Sequence, residues 1–96
     1  MTGQKIKIID IEAHALFRTL ERGTKFGLNY FDTKERMFKT VRLGNLAGRK
    51  HLSRENKTYY QYFNDNLSFY VICQEIEFES YIKYLIRTVI IERGRE

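Results

Sequence analysis

Proline is absent from this chain of 96 residues, and cysteine occurs once. A lone Cys73 rules out a disulfide framework within the chain and points to a reducing compartment, so a cytoplasmic location is expected. Without proline, turns fall to Gly, Asn and Asp, which suits short regular elements. No apolar run is long enough to cross a bilayer: the best, Tyr81 to Ile91, is broken by Lys83 and Arg87. Met1 to Ile9 carries no apolar signal-peptide core, and no membrane partner is expected. Gly-rich phosphate loops, zinc-ligand spacings and nucleophile elbows are also missing. No cofactor, metal or catalytic residue is therefore assigned, and the reading favours a binding protein over an enzyme.

What is present is ring and charge, and both are segregated. Aromatics make up 15% of the chain, the net charge is +5 and the pI is near 9.4. Between Arg36 and Lys57 lie seven basic residues and one acid, Glu55. The rings Tyr59, Tyr60, Tyr62, Phe63, Phe69 and Tyr70 follow. From Asn64 to Ser80 there are four acids and no base. A basic surface joined to an aromatic sheet is one way to bind a polyanion.

The length suits one small domain, residues 1–96, because a second independent core does not fit. Lys5 to Ile9 reads as a strand. Asp10 can cap a helix over 10–22, with Ala13, Leu16, Phe17 and Leu20 on one stripe and Gly23 at its end. Residues 25–31 and 36–43 read as a hairpin turned at Asp32–Glu35. Residues 44–57 form a polar, basic loop. Residues 58–63 and 67–75 form a second hairpin, turned at Asn64-Asp65-Asn66. Phe78, Tyr81, Ile82, Leu85 and Val89 fit a helical stripe, placing a C-terminal helix at about 77–91. The sum is an α+β domain of order β-α-β-β-β-β-α. It has a four- or five-stranded, mostly antiparallel sheet with two helices on one face.

The candidate nucleic-acid contacts are Arg42, Arg49, Lys50, His51, Arg54 and Lys57, with Tyr60 and Tyr62 as base-stacking rings on the open sheet face. The plainer reading is a solvated loop, with most rings in the core. Glu75, Glu77 and Glu79 alternate along a strand and could gather Mg²⁺, but a solvated or salt-bridged edge is the simpler account. Asp10 and His14 share a helical face, which suits a helix-start interaction. The opposite signs of the basic loop and the acidic ladder also permit a protein-interaction module, such as a homodimer, an assembly factor or an inhibitor of a larger complex. A small ribonuclease built on His51, Arg54 and Tyr59 is the third and weakest reading.

Overall fold

The computed structural model describes residues 5–47 and 56–95. In chain order these form β1 (Ile6–Ile11), α1 (Ala13–Thr24), α2 (Tyr30–Leu43), β2 (Asn45–Leu46), β3 (Asn56–Phe63), β4 (Leu67–Glu77) and β5 (Tyr81–Arg93). One five-stranded sheet runs β1-β5-β4-β3-β2. Only the β1–β5 pair is parallel, so the sheet is mixed and the class is α+β.

Successive side chains on a strand point to opposite faces, so β4 labels both sides of the sheet. Leu67, Phe69, Val71 and Cys73 point to one side and Ser68, Tyr70 and Ile72 to the other. On the Phe69 face the register sets these residues against Val89 and Ile91, then Ile86 beyond a bulge. The bulge leaves Arg87 unpaired between Ile86 and Thr88, which keeps Ile86 and Val89 on one face despite their odd spacing. Leu28, with Met37 and Val41 of α2, completes this buried cluster, and Leu16 of α1 packs against it.

Three expected elements are replaced: residues 25–31, expected as a strand, form the turn after α1 and the start of α2. The expected strand 36–43, with the end of 25–31, is helix α2. Its buried positions Thr33, Met37, Thr40 and Val41 follow the helical period. Asn29 caps it by accepting the Asp32 amide at 2.7 Å. The alternation of Phe38, Thr40 and Arg42 imitated a strand because two threonines stood at core positions. Here each hydroxyl donates to the carbonyl four residues back, Thr33 to Asn29 at 2.9 Å and Thr40 to Arg36 at 2.7 Å. The expected C-terminal helix 77–91 is strand β5. It lies between β1 and β4, so both its faces carry apolar side chains and no clean period-two alternation survives. The order is thus β-α-α-β-β-β-β.

Helix α1 is also displaced from its expected start. Asp10 lies on β1, bonded to the Ile11 amide and 3.3 Å from Lys83, and Glu12 takes the N-cap position. Asp10 and His14 therefore do not share a helix. Gly23 sits inside α1, where the helices touch: a β carbon there would lie 2.0 Å from Thr33 Oγ1. Both hairpin strands around Asn64-Asp65-Asn66 form, with Asn66 in the left-handed region at φ 68°.

Candidate nucleic-acid interface

Tyr60 and Tyr62 alternate on β3 and so share the Tyr70 face, about 7 Å apart along the strand. Tyr60 pairs with Tyr70, its ring centroid 5.0 Å away, and its hydroxyl lies 3.2 Å from Ser68 Oγ. Tyr62 is fixed at its far end, where its hydroxyl donates to Asn66 Oδ1 at 2.9 Å. The Arg95 guanidinium lies 4.5 Å from the centre of the Tyr62 ring. Asn45, Tyr60, Gln61, Tyr62 and Arg95 together line one open hollow beside β3.

Three local features position this hollow. β2 pairs with Tyr59 and Tyr60, and among the described residues no strand pairs with the outer side of β3 from Gln61 onward. Gly44 lets the end of α2 press on β3: a β carbon there would sit 2.4 Å from the Thr40 carbonyl oxygen and 2.6 Å from that of Tyr60. The C-terminal end is carried to the hairpin by Gly94, whose amide bonds the Asn66 carbonyl at 2.8 Å while its own carbonyl accepts the Ser68 hydroxyl. Arg36 of α2 then braces the turn from the other side, with both its terminal nitrogens on the Asp65 carboxylate at 2.8 and 2.7 Å. That pairing holds the Asp65 carboxyl below its usual range.

The expected open face is not uniform. Thr58, Ser68, Tyr70 and Ile72 at its centre are buried, Tyr70 to 2% exposure, while Tyr60 and Tyr62 are half-buried. Of the other candidate residues, Arg49, Lys50, His51 and Arg54 lie outside the described residues. The segment holding them leaves at Ala47 and re-enters at Asn56. Ala47 bonds the Thr58 carbonyl at 2.8 Å, so the two described residues that flank the segment lie at the Asn56–Thr58 end of β3, before Tyr60.

Arg42 and Lys57 are not part of the hollow. Arg42 is exposed on α2, in a groove with Phe31, Lys34, Glu35 and Phe38. Lys57 pairs with Cys73 in register, so it points to the Phe69 face, and its ammonium lies 3.3 Å from Glu75. Tyr59 shares that face and donates to the same Glu75, and burial with this bond pushes its hydroxyl pKa up, away from acid–base use near neutral pH. The acidic ladder is likewise engaged by bases, with Lys5 at 2.6 Å from Glu77, and Glu79 lies beyond the end of β4. Among the described residues no group of three or more His, Cys, Asp or Glu is gathered as a metal site, and no helix is long and apolar enough to cross a membrane.

Asn45, Gln61 and Arg95 were not singled out by the sequence. Arg95 had no local signal, because its place depends on Gly94 bonding residues 66 and 68. Compared with known protein families, curated proteins and solved structures, the chain matches none of them.

Proposed function

We propose that this is a small non-enzymatic protein that binds nucleic acid. Bases would stack at Tyr60 and Tyr62, and Arg95, with Arg49, Lys50, His51 and Arg54 of the adjoining segment, would meet phosphates. The observation that carries the reading is the hollow itself. Two rings on one strand face and a guanidinium over one of them line a single hollow, with Asn45 and Gln61 at its margin. Rings offer every base a π-face, cations release counterions from the backbone, and amides can read base edges. A reducing compartment such as the cytoplasm fits the buried Cys73 thiol.

The test is binding of short single-stranded and duplex oligonucleotides at low and moderate salt, with Arg49→Glu/Lys50→Glu beside the parent. The reading expects affinity that falls steeply with salt and is lost on charge reversal. A flat salt response contradicts it.

A second reading, a protein-interaction module that pairs with itself, is favoured by a different place. Among the described residues the outer edge of β1 has no neighbouring strand, and Ile6 and Ile8 of that strand are 69% and 42% exposed. Sedimentation showing a concentration-dependent dimer that Ile8→Lys abolishes would support it.

A further inference from the structure

Strand β5 outlasts its neighbour. β1 pairs with it from Tyr81 to Ile86, and among the described residues β5 then continues to Arg93 with β4 on one side alone. The Gly94 amide faces β4, where it bonds the Asn66 carbonyl. Backbone groups alternate sides along a strand, so Val89, Ile91 and Arg93 turn their N–H and C=O groups to the opposite edge, where Arg93 is exposed, Ile91 is 7% exposed and Val89 is covered in the free protein. The Val89 carbonyl agrees with this parity, because it accepts a bond from Arg22 of α1. Arg22 also reaches the Thr88 hydroxyl at 3.3 Å. Among the described residues no backbone group bonds this edge.

The edge forms one wall of a groove. Arg22, Lys25 and Phe26, from the end of α1 and just beyond it, form the other, facing Thr88 to Ile91. The Phe26 ring supplies an apolar wall, and Arg93 lies over it at 5.3 Å. Lys25 and Arg93 are exposed and, among the described residues, form no ion pair. The groove thus combines an unpaired backbone ladder, an apolar side and a cationic rim. An exposed edge with these features suits main-chain pairing by an extended segment, with side-chain contacts setting its chemistry. The sign of the rim selects acidic residues.

We propose that the open edge of β5, from Val89 to Arg93, takes up an extended acidic peptide as an added strand. A central apolar side chain would lie against Phe26, and flanking carboxylates would meet Lys25 and Arg93. Arg22 holds the Val89 carbonyl in the free protein and yields it to a peptide N–H. This groove is separate from the Tyr60–Tyr62 hollow, and its fate does not depend on nucleic-acid binding.

The experiment is a titration of the full chain with a capped, fluorescein-labelled heptapeptide whose Val-Thr-Val centre is flanked by glutamates. Amide hydrogen exchange is followed at Val89, Ile91 and Arg93. Saturable binding is expected, with slowed exchange at these three amides and little change in β3. Replacing the peptide's glutamates with lysines, or N-methylating its central amides, should weaken binding at least about tenfold, in line with paired charges and main-chain bonds at an interface. Lys25→Glu/Arg93→Glu should weaken it similarly, and Arg22→Ala should strengthen it. The proposal is overturned by no binding, by binding that leaves the three amides unprotected, or by equal affinity for the lysine peptide. It is overturned equally if these amides become protected with protein concentration alone, since a second copy would then be the occupant.

Discussion

The two faces of this sheet are built by the same strands and are packed differently. On the Phe69 face, side chains from both helices join β4 and β5 residues in one apolar cluster, and Met37, Phe69 and Val89 are fully buried. On the Tyr70 face the buried centre includes hydroxyls, with Thr58, Ser68 and Tyr70 among them, and the rings toward the β3 side remain half-buried. A face filled by apolar packing contributes stability in proportion to what it buries. A face of rings with hydroxyl ends and a nearby guanidinium can contribute recognition instead, because its groups still meet solvent. Substitutions on the two faces should therefore separate stability from binding.

The largest effect belongs to the closed face. Phe69→Ala should cost about 3–5 kcal/mol in denaturant unfolding, from lost transfer energy and an unfilled cavity. A loss under about 1 kcal/mol would mean that this face is not the core, against the usual range for a buried ring. Gly23→Val comes next. Its side chain meets Thr33 where α1 and α2 touch, and overpacking of this kind costs about 1–3 kcal/mol. Thermal unfolding measures it, and Thr33→Ala in the same chain should recover part of the loss.

On the other face the sign of the comparison inverts. Tyr62→Ala, at a half-buried position, should cost clearly less in unfolding than Phe69→Ala does. It should weaken single-stranded oligonucleotide binding about 5- to 150-fold, the equivalent of one stacked base. A variant that unfolds readily but binds normally would break the contrast.

Titration sharpens the contrast at both ends of the pH scale. Burial pushes the Cys73 thiol from 9.0 up to about 12. The unfolded thiol ionises first, so this contribution is intact below pH 9 and fades as pH rises toward 12. Tyr59, also raised, adds to the alkaline loss. Alkylation of Cys73 near neutral pH should then proceed only through unfolding, which a reaction rate tracking denaturant concentration would verify. The smallest effect is at Asp65. Its carboxyl is lowered by Arg36, so its contribution is present above the ordinary value of 3.8 and lost as pH falls below it. The pair is partly exposed, and Arg36→Ala should cost no more than about 1 kcal/mol at neutral pH, with the difference vanishing in acid.

Legibility in the sequence followed how local each determinant was. The β3–β4 hairpin was readable because Asn64-Asp65-Asn66 states its turn and the flanking rings state its alternation. Tyr60 and Tyr62 sharing a face followed from the same period. Helix α2 was not, because Thr33 and Thr40 are polar in composition yet buried, their hydroxyls turned back onto the helix. Strand β5 was misread because Tyr81, Ile82, Leu85 and Val89 satisfy a helical stripe by accident of burial on both faces. The β-branched run Thr88, Val89, Ile90 and Ile91 was the opposing signal. Arg95 could not be placed at all, since contacts with residues 66 and 68 bring it to Tyr62.

The most direct test of the nucleic-acid reading is fluorescence anisotropy with a short single-stranded oligonucleotide, comparing the parent with Tyr60→Ala/Tyr62→Ala at low and moderate salt. The account predicts salt-sensitive binding by the parent, with affinity sharply reduced at both salts when the rings are removed and the fold intact by circular dichroism. Equal binding by the two folded proteins, or none by the parent at low salt, would contradict it.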